Sequence, residues 1–160
     1  MIVHAGLIAV RLDGFWRGAL IEGPSGVGKS DLALRALDRG FRLVADDRVA
    51  LWTCEGALFG RAPGALHGLI EVRGLDVTGE SALPFCEIVL AVQPGEPERI
   101  PAPERIERLG VDLPRLILSY REASAPAKLG RAIAALYVRD QRRKKHGSAE
   151  RDACGGRGTP

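Results

Sequence analysis

The N-terminal third of the chain alternates apolar runs with short polar or glycine-bearing breaks. Residues 2–12 hold the apolar block Leu7, Ile8, Ala9 and Val10, with β-branched Ile2, Val3, Ile8 and Val10, and predict a strand. Asp13-Gly14 is a turn signal, and the next run, residues 15–22, pairs with the first as a predicted hairpin. Leu32, Leu34, Ala36 and Leu37 then mix with Asp31, Arg35 and Asp38, which predicts a helix closed by Gly40. Residues 41–45 read as a further strand, with Asp46-Asp47 at its end.

Residues 48–55 predict another strand, turned by Gly56 into Ala57, Leu58 and Phe59. In residues 64–77, Glu71 and Arg73 lie two apart, so on a strand they share one face. Such a charged pair serves either an edge or a site, and pattern alone leaves both open. Residues 86–92 form an apolar, buried strand, and residues 93–104, rich in Pro, Gly and Glu, read as a surface loop. Residues 106–118 carry apolar positions around Pro114. Leu129, Ile133, Leu136 and Tyr137 predict a helix over residues 127–139. The expected organisation is one domain, residues 1–140, and a disordered basic, glycine-rich tail, residues 141–160.

One break carries chemistry. Gly23-Pro24-Ser25-Gly26-Val27-Gly28-Lys29-Ser30 fits G-x-x-x-x-G-K-[ST], between a predicted strand and a predicted helix. The glycines let successive N–H groups turn inward onto phosphate oxygens, and the helix N-terminus adds partial positive charge. Lys29, expected in a solvent-facing loop, would reach the β- and γ-phosphates, and the Ser30 hydroxyl would ligate Mg²⁺. Asp46 and Asp47 stand where a strand end can offer carboxylates to a metal or a substrate proton; the bland alternative is a polar turn. On an extended backbone the two side chains face opposite ways, so one can reach an acceptor hydroxyl while the other orients metal-bound water or caps backbone. His4, alone near an apolar run, reads by itself as an ordinary packed or exposed side chain.

Composition narrows the setting. At 160 residues, 46% hydrophobic and 27% charged, the chain is ordinary globular material. No apolar run is long enough to span a bilayer, and the N-terminus lacks signal-peptide character. Cys54, Cys86 and Cys154 are far apart and odd in number, fitting neither a zinc site nor a disulfide framework, so a reducing cytoplasm is the expected location. The net charge is +3, with a basic run at Arg139, Arg142, Arg143, Lys144 and Lys145. Without aromatic interleaving the run reads as a solvated helix end, and nucleic acid is not the expected partner.

These pieces together resemble the catalytic domain of bacterial HPr kinase/phosphorylase. The resemblance rests on Glu-Gly-Pro-Ser-Gly-Val-Gly-Lys-Ser, Arg-Leu-Val-Ala-Asp-Asp-Arg-Val and Ile-Glu-Val-Arg-Gly-Leu. It covers residues 1–137 and is strongest over residues 18–77. It implies an α/β P-loop nucleotide-binding domain like that of phosphoenolpyruvate carboxykinase, a mixed sheet with flanking helices. It implies a kinase that uses ATP or pyrophosphate with Mg²⁺ to phosphorylate a serine of an HPr-type phosphocarrier, with phosphorolysis as the reverse reaction in many members. It also implies a homo-oligomer, a hexamer in full-length members.

On the family pattern His4 matches the active-site histidine, Lys29 the P-loop lysine, and Ser30 and Glu71 the Mg²⁺ ligands. Asp47 matches the carboxylate that takes the serine proton, and Arg121 is the best match for a later catalytic arginine. The chain departs from the pattern at three places. Only Met1 stands before Ile2, which resembles the short form of some Proteobacteria, expected to lack the N-terminal domain; Asp76 replaces a usual Gly; and the segment linked to phosphorolysis is not recognisable in residues 134–143. Two rival readings are a small-molecule kinase with the same loop and a nucleotide-binding regulatory module without catalysis. The acidic, proline-rich loop at residues 93–104 gives the first no basic substrate pocket, and the carboxylates retained at each expected position argue against the second.

Overall fold

A computed structural model describes the backbone of residues 1–154 and the side chains through residue 142. Asp13 and Gly14 both take positive φ, 49° and 83°, the geometry of a two-residue hairpin turn that matches strand twist. They join β1 (Ile2–Leu12) to β2 (Phe15–Glu22) in antiparallel register, with Leu12 opposite Phe15 and Ala5 opposite Glu22. Helix α1 (Lys29–Leu37) follows the glycine loop, and the chain leaves it through Gly40, at φ 87°. Strands β3 (Arg42–Ala45), β4 (Arg48–Cys54) and β5 (Ala57–Arg61) come next, then the hairpin β6 (Leu69–Val72) and β7 (Asp76–Gly79). The chain continues through β8 (Cys86–Pro94), β9 (Glu104–Arg108), β10 (Val111–Leu118) and α2 (Ala125–Cys154).

The main sheet has eight strands and is mixed. Strand β2 pairs antiparallel with β1 and parallel with β8, and β1–β4–β5–β8 completes the circuit, so five strands close a ring. Beyond their ring partners, β1 also pairs with β3, and β8 with β10, which carries β9 at the edge. Both faces of the central strands are covered, hence their near-continuous apolar character. Leu7, Leu20, Val49, Leu58 and Ile88 pack on one side. Ile8, Ile21, Leu43 and Val92 face the other, against Leu32 and Ala36 of α1 and Leu129 and Ile133 of α2.

The ring is too narrow for side chains at every inward position. A Cβ on Gly18 would lie 2.5 Å from Cys86 Sγ and 2.9 Å from the Glu87 carbonyl oxygen. Because one obstacle is backbone, Gly18→Ala is expected to destabilise the fold by about 1–3 kcal/mol, the usual cost of overpacking. A lowered urea midpoint with an unchanged slope is the expected signature.

One sequence expectation changes, and two stretches gain detail. Strand β6 ends at Val72, and Arg73 stands in the turn with Gly74 at φ 83°, so Glu71 and Arg73 do not share a strand face. Residues 104–118 form an antiparallel hairpin around Leu109-Gly110, both at positive φ. The backbone of α2 runs on through residue 141 to Cys154, and residues 155–160 of the expected tail lie outside the described residues.

Candidate functional site

Strand β2 delivers the chain to the glycine loop. At its exit, Gly23 has φ 134°, and a Cβ there would lie 2.9 Å from Pro94 Cγ, so the loop passes tightly over the end of β8. Gly26 and Gly28 also take positive φ, 80° and 108°, and the Gly28 carbonyl accepts the first helical bond, from Leu32 N–H, at 2.9 Å. The sequence of strand, left-handed glycines and helix start follows from residue type, since an L side chain resists φ above zero.

Lys29 does not stand free in solvent as expected. It opens α1, is 6% exposed, and its Nζ donates to the carbonyls of Gly23 (2.8 Å) and Pro24 (3.0 Å). Burial lowers its pKa from the ordinary lysine value, partly opposed by the negative charges of Asp47 and then Asp46. The ammonium is thus already desolvated and oriented at the mouth of the loop.

The two adjacent aspartates divide sharply. Asp46 is buried at 5% exposure; its Oδ1 accepts the Ser30 hydroxyl at 2.8 Å and its Oδ2 accepts the Glu71 N–H at 3.0 Å. One carboxylate therefore joins the P-loop serine to strand β6. Asp47 has φ 65°, a left-handed conformation that costs a non-glycine residue roughly 1–2 kcal/mol. It makes the turn from β3 into β4 and leaves the Asp47 carboxylate exposed. Its Oδ1 lies 3.6 Å from His4 Nε2, and its Oδ2 lies 3.7 Å from Arg48 Nε. His4 comes from β1, opposite Arg48 in the β1–β4 register, so two distant stretches of chain meet at this turn.

Arg121, from the segment leading into α2, donates through Nη2 to the Gly26 carbonyl at 3.2 Å. Glu71 is exposed on β6, beside the Asp46–Ser30 pair. A cavity of about 500 Å³ is lined by His4, Ser25, Gly26, Gly28, Lys29, Ser30, Asp47, Glu71 and Arg121. Gly23, Pro24 and Val27 do not line it and shape the loop from behind. Asp31, Leu34, Val72 and Arg73 complete the wall; of these, only Arg73 stands out in sequence, paired with Glu71. Asp46 was legible as half of an Asp-Asp pair, but its bond to Ser30 spans 16 residues and has no local signature.

A family profile described as "HPr Serine kinase C-terminal domain" matches residues 1–83, which hold His4, the glycine loop, both aspartates and Glu71. The chain belongs to the HPr serine kinase C-terminal domain family. Arg121 lies beyond the matched residues. The chain is 37% identical over 137 residues to an HPr kinase/phosphorylase of Clostridium tetani, covering 81% of this chain and 45% of that one. It is 46% identical over 77 residues to one of Clostridium perfringens, covering 48% of this chain and 25% of the relative. The chain thus spans less than half the length of these relatives. A solved structure, the Hpr(Ser) kinase/phosphatase from Coxiella burnetii, matches with a TM-score of 0.68 at 26% identity, over 91% of this chain and 99% of that one. That match identifies the α/β mixed-sheet fold as the fold of an HPr kinase structure.

Proposed function

We propose that this chain is an ATP-dependent protein serine kinase acting on an HPr-type phosphocarrier protein, in the cytoplasm and as a homo-oligomer. One observation carries the reading. In a domain of this family, Lys29 and Ser30 of the loop, the strand-end carboxylate of Asp47, the Glu71 carboxylate and Arg121 converge on a single cavity, with the buried Asp46 carboxylate holding Ser30 from behind. The strand–glycine loop–helix arrangement supports a P-loop fold like that of phosphoenolpyruvate carboxykinase. Among the described residues no helix is long and apolar enough to cross a membrane.

The donor set fits Mg²⁺. Ser30 Oγ, backed by the Asp46 carboxylate, and the Glu71 carboxylate are hard oxygen donors, and Mg²⁺ is commonly held by few protein oxygens together with phosphate. When bound, the ion would neutralise charge between the β- and γ-phosphates. The chain's own groups do the rest. The loop amides and Lys29 hold the phosphates of the donor, and Arg121 meets charge on the transferring group. Asp47 takes the proton of the acceptor serine, with His4 Nε2 beside it at 3.6 Å. Run in reverse, the same carboxylate would return a proton to serine during phosphorolysis.

The test is incubation of the purified chain with labelled ATP, Mg²⁺ and a purified HPr-type phosphocarrier, with the modified residue mapped. Phosphoserine on the carrier is the expected product. Label transferred to metabolites without a protein acceptor would identify a small-molecule kinase instead. Bound nucleotide with no transfer to any acceptor would identify a regulatory module.

A further inference from the structure

Arg35 lies on α1, one turn beyond Asp31, and does not line the cavity. Its guanidinium nevertheless grips the segment that carries Arg121. Nη1 donates to the Glu122 carbonyl at 3.1 Å, and Nη2 donates to the Tyr120 carbonyl. One planar fork thus occupies the two carbonyls that flank Arg121 in sequence. Nε donates to Asp31 Oδ2 at 2.9 Å, an i,i+4 pair that orients the fork from its own helix.

The same segment is held from the other side. The Tyr120 hydroxyl, with one proton to share, lies 2.6 Å from the Glu22 carbonyl oxygen and 2.8 Å from that of Val92. Glu22 is the last residue before the glycine loop. Between these anchors, a Cβ at Gly28 would stand only 3.7 Å from Tyr120 Cβ and 3.8 Å from Arg121 Cγ, so the segment lies directly on the loop. Arg121 itself is exposed and reaches the loop through one 3.2 Å bond to Gly26. Its placement therefore depends on the backbone that carries it.

We propose that Arg35 is a positioning residue, whose guanidinium fork ties the backbone on both sides of Arg121 to the helix that bears Lys29 and Ser30. The inference rests on the reading of the cavity as a phosphoryl-transfer site, and it adds the part that sets Arg121 in register with the P-loop. Lysine cannot replace it, because a single ammonium nitrogen lacks the planar fork that spans two carbonyls.

Arg35→Lys keeps charge and helix propensity while removing the fork. It is expected to lower kcat by about 10- to 10²-fold, the scale of a slightly misplaced catalytic group, with the KM for ATP changed less than about 3-fold. In an Arg121→Ala background the same change is expected to cost less than about 2-fold, because the effect runs through Arg121. Equal losses in both backgrounds, or no loss in either, overturn the proposal. Amide hydrogen exchange gives a readout independent of activity. The Glu122 and Ala125 amides, bonded to Ser119 and Glu122 carbonyls, are expected to exchange at least about 10-fold faster in Arg35→Lys, while the Leu32 amide of α1 does not. Unchanged exchange at Glu122 and Ala125 also overturns it. If the wild-type chain transfers phosphate to no acceptor, the kinase reading fails, and the exchange result alone decides whether Arg35 holds the segment.

Discussion

Asp47→Asn is expected to lower serine phosphorylation by about 10²–10⁴-fold, the usual loss for a general base, while nucleotide affinity persists. The variant isolates one variable. Asparagine tolerates left-handed backbone at least as well as aspartate does, so the turn at φ 65° should survive. The side chain is more than half exposed and has only the 3.6 Å and 3.7 Å approaches of His4 and Arg48, so little stability rests on it. Removing a negative charge from beside bound phosphates does not weaken them. Asp46→Asn is the contrasting variant. Its buried carboxylate accepts two hydrogen bonds, and an amide must turn its NH₂ toward one of those donors. About 1–3 kcal/mol of stability is expected to go with it, together with the placement of Ser30 and Glu71. Transfer rate, ATP affinity and melting temperature are measured on both variants. If Asp46→Asn melts like wild type and abolishes transfer while Asp47→Asn is active, the two roles are exchanged.

Lys29→Ala should remove transfer by at least about 10²–10³-fold, the scale set by loss of one preorganised charge-stabilising donor. The Lys29 ammonium is held at 2.8 Å and 3.0 Å on the Gly23 and Pro24 carbonyls, so its direction is set before any phosphate arrives. The fold is expected to persist, because burial of this ammonium is itself unfavourable, as its lowered pKa states. A second signature follows from that shift. The folded pKa lies below the unfolded value near 10.5, so between the two the unfolded chain binds more protons. Wild-type stability, compared with Lys29→Ala, is therefore expected to rise with pH through the window that ends near 10.5. Paired urea titrations across alkaline pH would show it. A difference between the two proteins that stays flat with pH would mean that Lys29 is not desolvated, and a folded variant with full transfer would remove it from the site.

The local pattern carried the elements around the glycine loop. Asp13-Gly14, the apolar run into Glu22, the spaced glycines and the apolar face of α1 each specify geometry within a few residues, because backbone sterics and side-chain period act at that range. The Asp-Asp pair was visible for the same reason. What residues apart in the chain do to each other was not visible. Strands β1, β2, β4, β5 and β8 close a ring through pairings between distant segments, and only that closure explains why Gly18 admits no side chain. The approach of His4 to Asp47 follows from the β1–β4 register, and the burial of Asp46 follows from Ser30 on α1 and the Glu71 amide on β6. Lys29, expected in solvent, is buried because the carbonyls of its own loop curl back over its ammonium. Arg35 reads in sequence as an ordinary helix charge paired with Asp31; the two carbonyls it grips are 85 and 87 residues away. Residue type and spacing set the loop that can hold phosphate, and long-range packing decided which charged groups stand around it.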